Sequence, residues 1–252
     1  MILILALIMH VLADFYFQTD SMAHEKREKV NVFVRHLIIY SVCMFIVVIP
    51  FIFSVPVSSL VVVWLLLAGS HALIDLVKWR IQKTAKAKTV NPSKEAWLFL
   101  VDQVLHVICI SLILLVIPFD ASHFGQNAVA QNLGRMALND IAAVILVILF
   151  LCKPAAIIVR IVLKCVQRDK DAENQGIERA GTAIGILERM IIAVFALCGQ
   201  PAAIAFVIAA KSLARFKQLE NQDFAERYLV GTLLSTLLAL VVSLAAQLFL
   251  MG

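Results

Sequence analysis

Long apolar blocks separated by short polar connections run through this chain. This is the pattern of helices that cross a hydrocarbon layer about 30 Å thick, needing roughly 20 residues each. The blocks predict spans near residues 1–19, 34–55, 58–78, 96–118, 137–152, 183–198, 201–214 and 229–251, eight crossings of which two are short. Residues 153–182 begin apolar and basic and become fully polar, which predicts an interfacial amphipathic helix running into a solvated loop. Gly199-Gln200-Pro201 punctuates the 183–214 stretch and predicts a turn between two short crossings. The expected fold is all-α, a polytopic transmembrane helix bundle. Its residues 1–118 form a four-helix core bearing His and Asp, and residues 119–252 form a second membrane half with the interfacial helix and a short helical hairpin.

Composition sharpens that picture. Hydrophobic side chains make up 62% of the chain and charged ones only 15%, which excludes an ordinary water-soluble domain. The first block lacks a basic leader and a small-residue cleavage pattern, so it is expected to span rather than to be removed. Five cysteines without a CxxC pair argue against both a disulfide framework and a thiolate zinc site. The net charge of +5 follows topology rather than nucleic-acid binding. With the amino terminus outside, only Arg135 of the 22 Lys and Arg residues falls on the outer side. That asymmetry predicts a multi-pass protein of a bacterial inner (cytoplasmic) membrane. The basic run from Lys78 to Lys88 is expected to meet anionic lipid head groups. Aromatics do not interleave with it as a single-strand binder would require, so no nucleic-acid partner is expected. Trp79 and Trp97 read as interfacial anchors, and the outer loop holding Asp120 and His123 as a plain solvated connection. Membrane lipids are the expected partners, and a homo-oligomer is compatible with the composition.

Against this background the polar residues inside the apolar blocks stand out. His10/Asp14, His71/Asp75 and Asp102/His106 are each four residues apart, so each pair shares a helix face. In the alternating topology all of them, with His36, lie within roughly 15 Å of the cytosolic face. Ionisable groups at such depth cost several kcal/mol unless partnered, so a functional site is the default expectation. Imidazole with carboxylate is a donor set for zinc, manganese or iron. His10, Asp14, His71, Asp75 and His106 are the candidate metal ligands, and Asp102 is a ligand or the general base that activates water. Gln18, His36, Tyr40, Lys78 and Gln103 are candidate supporting residues around them. Lys78 is equally well explained as a snorkelling residue, and each His/Asp pair by pairing with itself. In the second half, Glu188 is expected to pair with Lys211 or Arg215; alternatively Arg189, Lys211 and Arg215 form an anion-binding wall for a phosphate.

The stretch HVLADFYFQTDSMAHEK, followed by a second HxxxD, resembles an uncharacterised family of bacterial inner-membrane proteins, a domain of unknown function. The likeness extends to GTAIGILER at 181–189, AAKSLARF at 209–216 and ERYLVGTLLS at 226–235. More distantly, the helical His/Asp layout is similar to membrane-bound metal-dependent hydrolases and to all-helical zinc-dependent phospholipases. That resemblance implies a hydrolytic site. The chain has no HExxH pattern, so the ligand set and the general base stay open.

Three classes of function follow. The first is a metal-dependent hydrolase of a lipid or amphiphilic phosphoester, and the second a transporter using the His/Asp groups as a proton or metal-ion relay. Against transport, the chain shows no internal repeat, and the outer half of the bundle lacks ionisable groups. The third is a non-catalytic membrane scaffold or regulator with a self-paired His/Asp core.

Overall fold

The computed structural model describes residues 1–53, 55–85, 92–117, 128–166 and 175–251. The loop with Asp120 and His123 lies outside them. The described residues form helices and contain no strand. Helix α1 (Ile2–Val11) continues into a π-helical turn over Leu12–Tyr16; then follow α2 (Asp20–Glu25), α3 (Val30–Val48), α4 (Val57–Ala85) and α5 (Pro92–Val116). After them come α6 (Ala128–Cys152), α7 (Pro154–Val166), α8 (Gln175–Leu197), α9 (Pro201–Ala214) and α10 (Gln222–Met251). Among the described residues five stretches are long and apolar enough to cross a membrane: Val30–Phe51, Val57–Thr84, Pro92–Val116, Leu138–Val166 and Gln222–Leu248. Ile2–Tyr16 and Pro201–Ala214 are shorter apolar helices.

Local chemistry sets the helix ends. Proline opens α5, α7 and α9, where its missing N–H would have had no partner anyway. Gly199 closes α8 with φ of 66°, a left-handed conformation that costs glycine little. Its N–H donates to Ala196 O and the Gln200 N–H to Phe195 O, the paired bonds that satisfy the last carbonyls of a helix. The chain therefore turns at Gly199-Gln200 into α9.

The chain divides into two compact units, Met1–Ala142 and Ala143–Gly252. In the first, α1 packs on α3 and α5, and α4 on α3 and α5, which closes a four-helix ring. Between residues 101 and 112 of α5 the exposed residues are apolar, Val101, Val104, Leu105, Val107, Ile108 and Leu112, whereas Asp102 and His106 are buried. Apolar outside and polar inside is the order expected when the surrounding solvent is lipid. One end of the ring is filled by Ala6, Met44, Val47, Val63, Leu67 and Ile110. The His and Asp residues occupy the opposite ends of the same four helices. In the second unit, α10 packs on α7 and α8, and α8 on α9, around Val147, Leu151, Ile192, Ala193, Ile204 and Ala239.

Candidate functional site: a buried His/Asp cluster

Four helices each contribute two or three polar groups from positions spaced to share an inward face. The π turn that ends the first helix carries Asp14. Its extra residue is sealed by the bond from the Phe17 N–H to Leu12 O, and such widened turns often re-aim side chains at functional sites. His36 and Tyr40 come from α3, His71, Asp75 and Lys78 from α4, and Asp102, Gln103 and His106 from α5.

The tightest convergence lies between α1, α3 and α4. His36 Nε2 and His71 Nε2 face each other at 3.2 Å. Asp75 Oδ2 is 3.2 Å from His36 Nε2 and 3.8 Å from His71 Nε2. Asp14 Oδ1 is 3.6 Å from the former and 3.7 Å from the latter. His36, His71 and Asp75 are buried, both imidazoles 1% exposed, and Asp14 is partly buried with its side chain 8% exposed. Hydrogen bonding alone satisfies this group poorly. Asp14 Oδ1, His36 Nδ1 and His71 Nδ1 have no hydrogen-bond partner among the described residues, and each such buried atom costs about 1–3 kcal/mol.

A second layer surrounds it. The Tyr40 ring stacks on His71 with centroids 3.4 Å apart, and its hydroxyl lies 3.3 Å from His10 Nδ1. His106 lies 4.4 Å from His71, ring to ring. Its Nδ1 is 2.8 Å from the Asp102 backbone carbonyl, which can only accept, so Nδ1 carries the proton and Nε2 presents a lone pair. That Nε2 and His10 Nε2 have no partner among the described residues. Lys78 Nζ donates to Asp102 Oδ2 at 2.6 Å and Gln103 Nε2 to the same oxygen at 3.1 Å; Asp102 Oδ1 accepts no hydrogen bond from the described residues and lies 3.9 Å from His106 Nδ1. Gln103 Nε2 also reaches toward Asp14 Oδ2 at 3.5 Å.

Among the described residues three sets of His and Asp lie close enough to hold a metal ion: His10/Asp14/His71, His36/His71/Asp75 and Asp75/Asp102/His106, each with its ligand atoms within 4.8 Å of one another. Charge counting points the same way. Three carboxylates, Asp14, Asp75 and Asp102, face two ammonium groups, Lys26 on Asp75 and Lys78 on Asp102. With neutral imidazoles one negative charge is left over inside a low-dielectric bundle, which is costly without a cation.

The residues expected from sequence thus fall into tiers. Asp14, His71 and Asp75 converge with His36, which had been assigned only a supporting place, while the ring nitrogens of His10 and His106 turn partly to Tyr40 and the Asp102 carbonyl. Gln18 acts through Lys26, whose Nζ bridges Gln18 Oε1 at 2.9 Å and Asp75 Oδ2 at 3.3 Å. Lys26 was missed because, beyond α2, it reads only as a topology-setting charge.

In the second unit Arg189 is 2% exposed. Its Nε donates to Leu151 O at 2.8 Å and its Nη1 to Ser235 Oγ at 3.1 Å. Lys211 donates to Glu188 and lies over the Tyr228 ring, and Arg215 Nη1 reaches Gln218 Oε1 at 3.3 Å.

A family model described as Protein of unknown function (DUF3307) matches residues 2–133. The match contains the whole His/Asp cluster and leaves the blocks at 181–189, 209–216 and 226–235 outside it, so the family likeness covers the first half rather than most of the chain. No curated protein and no solved structure matches.

Proposed function

The chain belongs to the DUF3307 family, and we propose that its His/Asp cluster is a divalent-metal centre serving hydrolysis of a lipid or amphiphilic phosphoester. The observation that carries this is the spacing of His36 Nε2, His71 Nε2, Asp14 Oδ1 and Asp75 Oδ2. Ligands about 2.0–2.2 Å from a tetrahedral ion stand about 3.3–3.6 Å from one another. Five of the six separations between these atoms, all those that involve an imidazole, run from 3.2 to 3.8 Å. Two imidazoles and two carboxylates favour zinc, with manganese or iron next.

A bound ion would polarise a phosphoryl oxygen and acidify a water. Asp102 takes the proton of the attacking water at Oδ1, while Lys78 and Gln103 hold its other oxygen. The water oxygen forms the new bond to phosphorus, the ester bond breaks, and the alcohol leaves with a proton from solvent. Tyr40 fixes the His71 ring, and Lys26 and Lys78, each less than a fifth exposed, present positive charge to an approaching phosphate. The apolar filling at the other end of the ring favours a one-sided site over a path across the membrane. In this reading the protein crosses a bacterial inner membrane eight times with its amino terminus outside, and the cluster lies in the cytosolic leaflet.

The test is elemental mass spectrometry on the detergent-purified chain, comparing wild type with His71→Ala and Asp102→Ala at matched folding, followed by phosphoester hydrolysis. Stoichiometric metal and metal-dependent hydrolysis in wild type, both lost in His71→Ala, are expected. Wild type without metal after reconstitution with zinc, manganese or iron removes the metal centre; equal hydrolysis in the mutant removes the enzyme.

A further inference from the structure

The second unit holds a cavity of about 320 Å³ between α7, α8, α9 and α10 whose chemistry is separate from the His/Asp cluster. Its position follows from helix periodicity. Helix α7 contributes residues 156, 159, 160, 163 and 164, and α10 contributes 227, 228, 231, 232 and 235, each set on one face. Six cations line it: Arg160, Lys164, Arg189, Lys211, Arg215 and Arg227. Among the described residues no carboxylate lines it. Glu188, nearby, is taken by Lys211.

The deepest of these cations is held in place. Arg189 spends Nε on Leu151 O, in the last turn of α6, where a positive charge also suits the helix dipole. It spends Nη1 on Ser235. Its Nη2 is buried and has no hydrogen-bond partner among the described residues, and no carboxylate there pairs with the guanidinium. Gly185 lies beside it: a Cβ there would stand 3.4 Å from Arg189 Nη1, in contact with the guanidinium. A preorganised donor on the cavity wall, ringed by further cations, is an arrangement for a phosphate oxygen. The apolar side chains of the lining are Ala156, Val159, Leu163 and Ile184, and hydroxyls of Tyr228 and Thr232 also face it. The site is therefore amphiphilic, and basic pockets between membrane helices on the cytosolic side suit phospholipid head groups.

We infer that this cavity binds the phosphate of an anionic amphiphile, with Arg189 as its fixed donor and Arg160, Lys164 and Arg215 as the outer cations. No residue is shared with the His/Asp cluster, so the two readings stand or fall separately.

The test uses the full chain in mild detergent and three probes: dihexanoyl phosphatidic acid, dihexanoyl phosphatidylcholine and inorganic phosphate. Wild type is expected to bind phosphatidic acid at least about tenfold more tightly than phosphatidylcholine, since one charge-assisted hydrogen bond is worth that factor or more. Arg160→Gln combined with Lys164→Gln, on the rim and away from the bonds of Arg189, is expected to remove most of that preference at unchanged unfolding temperature. Inorganic phosphate binding that phosphatidic acid displaces assigns the site to a free phosphate species; phosphatidic acid binding without it assigns the site to a lipid head group. Equal affinity for the two lipids, or an undiminished preference in the double variant, overturns the inference.

Discussion

Replacing Asp14 with Asn separates a metal centre from a self-paired core. The change conserves shape and removes one charge. Asp14 Oδ1 stands 3.6 and 3.7 Å from two imidazole nitrogens and accepts no hydrogen bond from any described residue. Without metal, three carboxylates face two ammonium groups, so Asp14→Asn balances the charge and leaves the metal-free protein as stable as wild type or more so. With metal the outcome reverses. At an ion concentration about 100 times the dissociation constant, wild type gains about 2.7 kcal/mol, a rise of about 5–11 °C in unfolding temperature for a domain of this size. Loss of one ligand of four that weakens binding about a hundredfold leaves about 0.4 kcal/mol, or about 1 °C. Thermal unfolding of the detergent-purified protein, with chelator and with added zinc or manganese, reads both arms. An equal metal-dependent rise in Asp14→Asn and wild type would refute the assignment of Asp14 as a ligand. Destabilisation of the mutant in chelator would show instead that the carboxylate serves as an ion-pair partner of the imidazoles.

The other predictions concern the supports and the topology. Lys78→Met strands Asp102 with Gln103 as its remaining side-chain donor and is expected to cost about 2–4 kcal/mol in denaturant unfolding; adding Asp102→Asn should restore much of it, and a merely additive double mutant would show that the pair is not coupled. Gly199→Ala places a Cβ on a left-handed residue and should cost about 1–2 kcal/mol; unchanged stability would mean the α8–α9 turn adopts another conformation. With the native cysteines replaced, Lys94→Cys and Lys217→Cys should react with a membrane-impermeant maleimide from the cytosolic face alone, and labelling of either from the outer face would refute the eight-crossing topology.

Much of this protein is legible in its sequence because the governing physics is local. Apolar blocks of spanning length, prolines opening α5, α7 and α9, and Gly199 ending α8 each act within a few residues, so helix positions follow from residue type and spacing. The shared depth of His10, His36, His71 and His106 is legible for the same reason, since depth along a helix is a count of residues times its rise. Which atoms meet is a different matter, because it depends on the rotation of each helix about its axis and on how connections fold back. The π turn that carries Asp14, the close approach of His36 to His71, Asp14 and Asp75, and the reach of Lys26 back to Asp75 all arise this way. So does the cationic cavity, whose lining comes from four successive helices folded back on one another. Periodicity names a face for each helix; only packing all the helices of a unit at once decides which faces share an interior.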